Sequence, residues 1–259
     1  ALRSSGDPVL FLKNPKGVSD NARRRMLDAL KRMNQRVHAE IGDPETQARI
    51  AQYEMAYRMQ SSVPELVGLK DEPASTAKMY GPASGKPGSF AASCILGRRM
   101  LERGVRFVQI CHRGWDQHGN LTGDLPRQVR DIDQPAWALV QDLKQRGMLD
   151  DTLVMWTGEF GRTPDNTVRG GETAIGRDHN AKAMNMFFAG GGVKKGAVVG
   201  ATDEIGESAV EVVHPIRDVH VTLLHHFSLD DNQLTYFHAG RFKQLPHSDL
   251  QLIPQPIGH

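Results

Sequence analysis

Apolar residues recur at helical spacing through much of the first sixty positions. Met26, Leu30, Met33 and Val37 follow Ser19, a residue type that caps helix starts, and predict a helix. Asp43-Pro44-Glu45 predicts a second start, with Ile50, Tyr53 and Tyr57 as its apolar stripe. The two helices are expected to pair as a hairpin. Ahead of them, Val9-Leu-Phe-Leu12 reads as a short strand between Pro/Gly turns. From Val63 to Gly88 the chain is rich in Pro, Gly, Ser and Lys, which predicts a loop crossing between two regions. Residues 1–85 therefore read as a helical excursion from a main domain.

From Pro87 the pattern alternates between helix and strand. A helix with Phe90, Cys94, Ile95 and Leu101 on one side stops at Gly104, and Val105-Arg-Phe-Val-Gln-Ile110 follows as a strand. A second helix runs from Pro126 to about Arg146 on Val129, Ile132, Ala136, Leu139 and Leu143, with Pro135 expected to kink or divide it. Thr152-Leu-Val-Met-Trp-Thr157 is nearly all apolar, as strands buried in parallel sheets are. Ala183-Met-Asn-Met-Phe-Phe188 is a third strand, entering the Gly190-Gly-Gly192 turn, and a last helix spans about Ile216 to Phe227. Strand, helix, strand predicts a right-handed crossover and an α/β sheet covered on both faces. Residues 86–247 are the expected core and 248–259 a polar tail.

Composition adds limits. The 259 residues can bury a substantial core, and 32 basic against 30 acidic residues leave a net charge of +2, so nucleic-acid binding gains no support. The Arg23-Arg24-Arg25 run sits on a helical pattern and reads as a solvated face. Cys94 and Cys111 both lie in apolar surroundings and are expected to be buried free thiols. No membrane span is expected, because no stretch approaches the ~20 apolar residues one needs. The opening Ala1-Leu2-Arg3 shows no leader, which reads as a removed targeting segment or a piece of something longer.

Three clusters carry the candidate chemistry: Arg113-Gly-Trp-Asp116-Gln-His118, Gly158-Glu159-Phe-Gly-Arg162-Thr163 and Gly176-Arg177-Asp178-His179. Each joins an acid or imidazole to glycine and arginine. Carboxylate oxygen and neutral imidazole bind divalent ions such as zinc, manganese or calcium, and guanidinium forks an oxyanion. Asp116 and His118, two residues apart, face the same side of an extended segment. With His179 they offer one carboxylate and two imidazoles and leave a coordination position open. Asp178 and Glu159 are further candidate ligands, Arg113, Arg162 and Arg177 candidate anion contacts, and His112 could orient a ligand from behind. Glu159 has an alternative as a structural acid paired with Arg162. Asp116 and Asp178 could instead cap turns, with His118 packed on Trp115 and His179 at the surface. Asp218, His220, His225 and His226 follow a helical pattern and read as packing.

Several motifs are excluded. Gly81-Pro-Ala-Ser-Gly85-Lys86 is one residue short of a phosphate loop, and Gly206-Glu-Ser208-Ala-Val lacks the second glycine of a nucleophile elbow. No catalytic nucleophile can be read from the chain.

Taken with Ala51-Gln-Tyr-Glu-Met-Ala56 and Arg58-Met-Gln-Ser-Ser-Val-Pro-Glu65, these clusters resemble the bacterial family called domain of unknown function 1501, in its carboxyl-terminal part. The resemblance implies a sulfatase-like member of the alkaline phosphatase superfamily. It also implies a three-layer α/β/α sandwich whose amino-terminal part is missing, and export or a periplasmic location. Asp116, His118 and His179 look like the aspartate and two histidines that hold one metal. Glu159-Phe160 falls where the superfamily places an Asp-His pair, so the second imidazole is absent. The implied function is metal-dependent hydrolysis of phosphate or sulfate esters of a small molecule or glycan, with an incomplete site here. In such an enzyme the metal activates the nucleophile and clamps the ester oxygens while arginine neutralises charge. The alternative is a non-catalytic relative that binds metal, glycan or a partner.

Overall fold

The computed structural model describes residues 13–42, 44–166, 168, 175–238, 241–244 and 252–253. The Val9–Leu12 strand, the Asp43 cap and most of the 248–259 tail lie outside them. The chain is mixed α/β, with helices and small sheets. It forms two compact units, residues 1–112 with 131–139, and residues 113–130 with 140–259.

The first unit begins with α1 (Asp20–Ile41) and α2 (Pro44–Val67), packed together. Ser19 caps α1 by accepting the Ala22 N–H, and Gly42 closes it at φ 72°, a left-handed conformation that glycine adopts at no steric cost. Arg24 reaches across to Glu54 at 2.7 Å and lies over the Tyr57 ring. The expected stripe is corrected: Met26, Met33 and Val37 are exposed, and Leu27 is the buried residue of α1. On α2, Ile50 is buried but Tyr53 is exposed. A 22-residue helix packed mainly on α2 among the described elements buries only a narrow face, so an apolar stripe does not all find cover.

The loop expected over 63–88 is largely helical. α2 continues through Pro64 to Val67, a short turn of 3-10 helix spans Leu69–Asp71, and α3 covers Ala74–Tyr80. Long-range contacts outweigh the composition. The last turn of α2 has no basic residue of its own, and Arg99 of α4 (Phe90–Glu102) donates to the carbonyls of Glu65 and Gly68 at 2.8 and 2.7 Å. Beside it, Arg98 donates to Glu72 at 2.6 Å and Glu102 at 2.9 Å, in a nearly solvent-free pair with Glu72. The core joins Tyr80, Ala91, Cys94, Ile95 and Ala138, with Ile110 and Leu139 packed on it.

The predicted strand at 105–110 forms no ladder among the described residues. Ile110 and Val108 approach Gly97 of α4, while Phe107 is 81% exposed. Alternation marks an apolar face, but no strand lies alongside it among the described residues, and the Val105 N–H turns back to the Met100 carbonyl at 3.0 Å. Cys111, expected inside, is exposed. The next helix, α5 (Leu121–Gln145), starts five residues before Pro126 and is continuous through a buried Pro135. The packing of Ile132, Ala138 and Leu143 outweighs the bond lost at Pro135.

In the second unit, β1 (Val154–Thr157) pairs with β4 (Met186–Ala189), and β2 (Gly161–Arg162) with β3 (His179–Asn180). Both pairs are antiparallel, which corrects the parallel sheet expected for Thr152–Thr157. The crossover expected from 105–110 into that strand is not formed, because 105–110 makes no ladder among the described residues. No helix intervenes among the described residues between β1 and β4, and their antiparallel pairing brackets in sequence that of β2 with β3. Two further antiparallel pairs follow, β5 (Ala201–Thr202) with β6 (Ala209–Glu211) and β7 (Thr235–His238) with β8 (Arg241–Gln244). Between them lies α6 (Ile216–His226), close to its predicted bounds.

Candidate metal centre

The site lies within the second unit, where three segments interlock. The 113–121 loop is shaped first by Gly114, whose φ of 95° disfavours a side chain and whose carbonyl accepts from the amides of Gln117 and Gln128, the latter at 2.7 Å. The segment is not extended as expected. The His118 N–H donates to the Asp116 carbonyl at 3.0 Å, a three-residue turn that brings both side chains together. The 175–180 segment then lies against this loop. Leu121 N–H donates to Ile175 and Arg177 N–H to Gln117, both at 2.9 Å. Gly176, between the two bonds, leaves no room for a side chain, because a Cβ there would collide with the His118 carbonyl. Pairing of β2 with β3 sets Arg162 opposite His179.

Three ligand atoms converge. Asp116 Oδ1 is 3.0 Å from His118 Nε2 and 3.2 Å from His179 Nε2, and the two imidazole nitrogens are 3.2 Å apart. The triangle is nearly equilateral and fits one face of a small tetrahedron. An ion completing it would lie about 1.9 Å from each atom, against ~2.0–2.1 Å for zinc–imidazole bonds. Side-chain exposures of 69% for Asp116, 49% for His179 and 35% for His118 leave the fourth direction open to solvent. The residues thus fit a divalent ion.

Around the triangle, Arg162 Nη2 donates to Asp116 Oδ1 at 3.1 Å and to the Trp115 carbonyl at 2.8 Å. The His179 hydrogen bond, and then Arg162, hold the Asp116 carboxyl below its ordinary range. Phe160 lies against the His179 ring at 4.1 Å between centroids, and the Arg162 guanidinium lies over Phe160. Asp178 Oδ1 accepts the His179 N–H at 2.8 Å and stands 3.6 Å from the other nitrogen of His118, Nδ1.

The other sequence candidates are placed differently. Glu159 is exposed in the turn after β1 and is outside the converging group, and Arg162, its expected partner, is paired with Asp116. Arg177 points its Nε at Asn166 at 3.1 Å, and Arg113 is exposed. His112 belongs to the first unit, edge-on to Phe90 and 3.9 Å from Asp131, and burial lowers its pKa against the opposing pull of that acid. In the α6 group, buried Asp218 accepts from His214 Nδ1 at 2.7 Å and His226 meets the Gly191 carbonyl. Sequence reading did not single out Gln128, Phe160 or Gly176 as site builders. Only Gly176 carried a signal, as a glycine fixed beside the Arg-Asp-His run.

No helix among the described residues is long and apolar enough to cross a membrane. No curated protein and no solved structure matches the chain. Residues 1–254 match the family described as protein of unknown function (DUF1501), nearly the whole length, with all three clusters inside the match. The chain belongs to the DUF1501 family.

Proposed function

We propose that Asp116, His118 and His179 hold one divalent metal ion, and that the centre acts on anionic esters, phosphate or sulfate, as a metal-dependent hydrolase. The observation that carries this is the triangle of one carboxylate and two imidazole atoms with edges of 3.0 to 3.2 Å and an open fourth direction. A bound ion there supplies Lewis acidity towards an ester oxygen. Its charge, with that of Arg162 beside Asp116, favours an anionic ligand over a neutral one. Two nitrogen ligands suit zinc or manganese better than calcium, which takes 6–8 oxygens at ~2.3–2.6 Å. We also propose that the family's full architecture is the three-layer sandwich of the alkaline phosphatase type. The half-exposed β1 and β4 pair, carrying Trp156 and Phe187, supports this as a sheet fragment suited to further cover.

A second reading, a non-catalytic protein that binds metal, a glycan or a partner, is favoured by Arg162. Its guanidinium contacts the Trp115 and Arg177 carbonyls and Asp116, and so is already engaged by the chain itself. Elemental analysis with metal titration tests the centre. Wild type is expected to take one divalent ion and Asp116→Ala none. Absence of binding, or binding untouched by the substitution, overturns the metal reading. Metal-dependent turnover of aryl phosphates or sulfates then supports the hydrolase, and a loaded protein silent across that panel supports the binding reading.

A further inference from the structure

We infer that Asp178 is a positioning residue for this centre, acting through His118 rather than ligating the ion; the inference rests on the metal reading above. His118 stands between two carboxylates, with Asp116 Oδ1 3.0 Å from Nε2 and Asp178 Oδ1 3.6 Å from Nδ1. A neutral imidazole carries one proton. Without an ion, Asp116 is the nearer acceptor, and the proton belongs on Nε2, where it occupies the lone-pair direction that a metal needs. An ion at Nε2 requires the other tautomer, with the proton on Nδ1, facing Asp178. A carboxylate at that nitrogen fixes the metal-binding tautomer and raises the basicity of the ligating one. At 3.6 Å the contact is an ion-pair distance rather than a hydrogen bond, and a ring movement of about 0.5 Å closes it.

Asp178 is held for this role. Its N–H donates to Thr163 Oγ1 at 3.1 Å, its carbonyl accepts the Thr163 N–H at 2.9 Å, and its Oδ1 accepts the His179 N–H. One carboxylate thus ties the backbone of one imidazole ligand to the ring of the other. It lies outside the set of atoms able to share an ion, which among the described residues is Asp116, His118 and His179. A ligand role for Asp178 would put it on the Nε2 side, whereas it stands on the Nδ1 side.

The test compares zinc affinity and the cobalt absorption spectrum in wild type, Asp178→Ala, Asp178→Asn and Thr163→Val. Asp178→Ala is expected to bind zinc ~10–100-fold more weakly while the cobalt spectrum keeps its four-coordinate form. Asp178→Asn, whose amide oxygen still accepts a hydrogen bond, should recover part of the loss. Thr163→Val removes one of the ties that hold Asp178 but keeps its carboxylate, and should lose less zinc affinity than Asp178→Ala. In the zinc-loaded wild type a slowly exchanging His118 Nδ1–H resonance is expected, broadened or lost in Asp178→Ala. Unchanged zinc affinity in both Asp178 variants overturns the role, and a cobalt spectrum altered as by a lost ligand overturns it in favour of direct ligation. If Asp178→Ala fails to fold, Asp178→Asn decides by the same two readouts. A wild type that binds no zinc overturns the metal centre itself, and this role with it.

Discussion

Gly176→Ala perturbs the point where the two ligand-bearing segments touch. The added Cβ would sit 2.5 Å from the Gly119 amide nitrogen and closer still to the His118 carbonyl, and all of these are backbone atoms with no rotamer to escape into. Restoring an ordinary contact of about 3.4 Å to the His118 carbonyl needs a separation of about 1.5 Å. The movement strains the two hydrogen bonds that bracket Gly176, Arg177 to Gln117 and Leu121 to Ile175. At about 0.5–1.5 kcal/mol each they account for about 1–3 kcal/mol of stability. The larger effect is on the triangle. With His179 carried about 1.5 Å away, an ion touching all three atoms would lie in their plane at about 2.5 Å, longer than zinc–imidazole bonds and without tetrahedral geometry. Zinc affinity should fall on the order of 100-fold. Calorimetric titration with zinc and urea unfolding of the metal-free protein measure both effects. Gly85→Ala, at a position with nothing within 4 Å of the new atom, serves as the control. If Gly176→Ala matched that control in stability and affinity, the close approach of the two segments would be refuted.

Glu72→Ala removes the shared partner of Arg98 and Arg99, whose side chains are only 3% and 8% exposed, and should cost about 3–5 kcal/mol in urea unfolding. A loss below about 1 kcal/mol would show that the two guanidiniums find water instead. Burial pushes the Cys94 thiol from its ordinary 9.0 up to about 12, so the folded chain favours the neutral thiol, a preference complete below pH 9.0 and lost as pH rises towards about 12. At pH 8 a disulfide reagent should therefore modify exposed Cys111 quickly and Cys94 only after unfolding. Two thiols reacting at equal rates in the folded protein would contradict the buried core at Cys94.

The helices were legible in the sequence where caps and breakers are local: Ser19 and Gly42 bound α1, and the last helix was placed within a residue. Pairing partners were not. Thr152–Thr157 and Ala183–Phe188 were recognised as strands, but nothing in two apolar runs states whether they lie parallel or antiparallel. At the site, Asp116, His118 and His179 could be named together from chemistry. The difference between ligand and positioning residue for Asp178 could not, because it depends on which imidazole nitrogen a carboxylate meets. Glu159 is a ligand candidate by its place after a strand. Its exposure depends on the turn into β2, which no residue pattern announced.

The β1 and β4 ribbon also bears on how the protein behaves at high concentration. Two strands with the stacked Trp156 and Phe187 half-exposed, and with Met155 at the surface beside them, have no further strand on either edge among the described residues and present apolar area there. A strand arriving from another molecule would gain backbone bonds and cover the aromatic pair in one step. Self-association should therefore be nucleated at this ribbon, and its onset should be tracked by scattering together with a blue shift of tryptophan emission. A charge in place of Phe187 would be the direct way to suppress it.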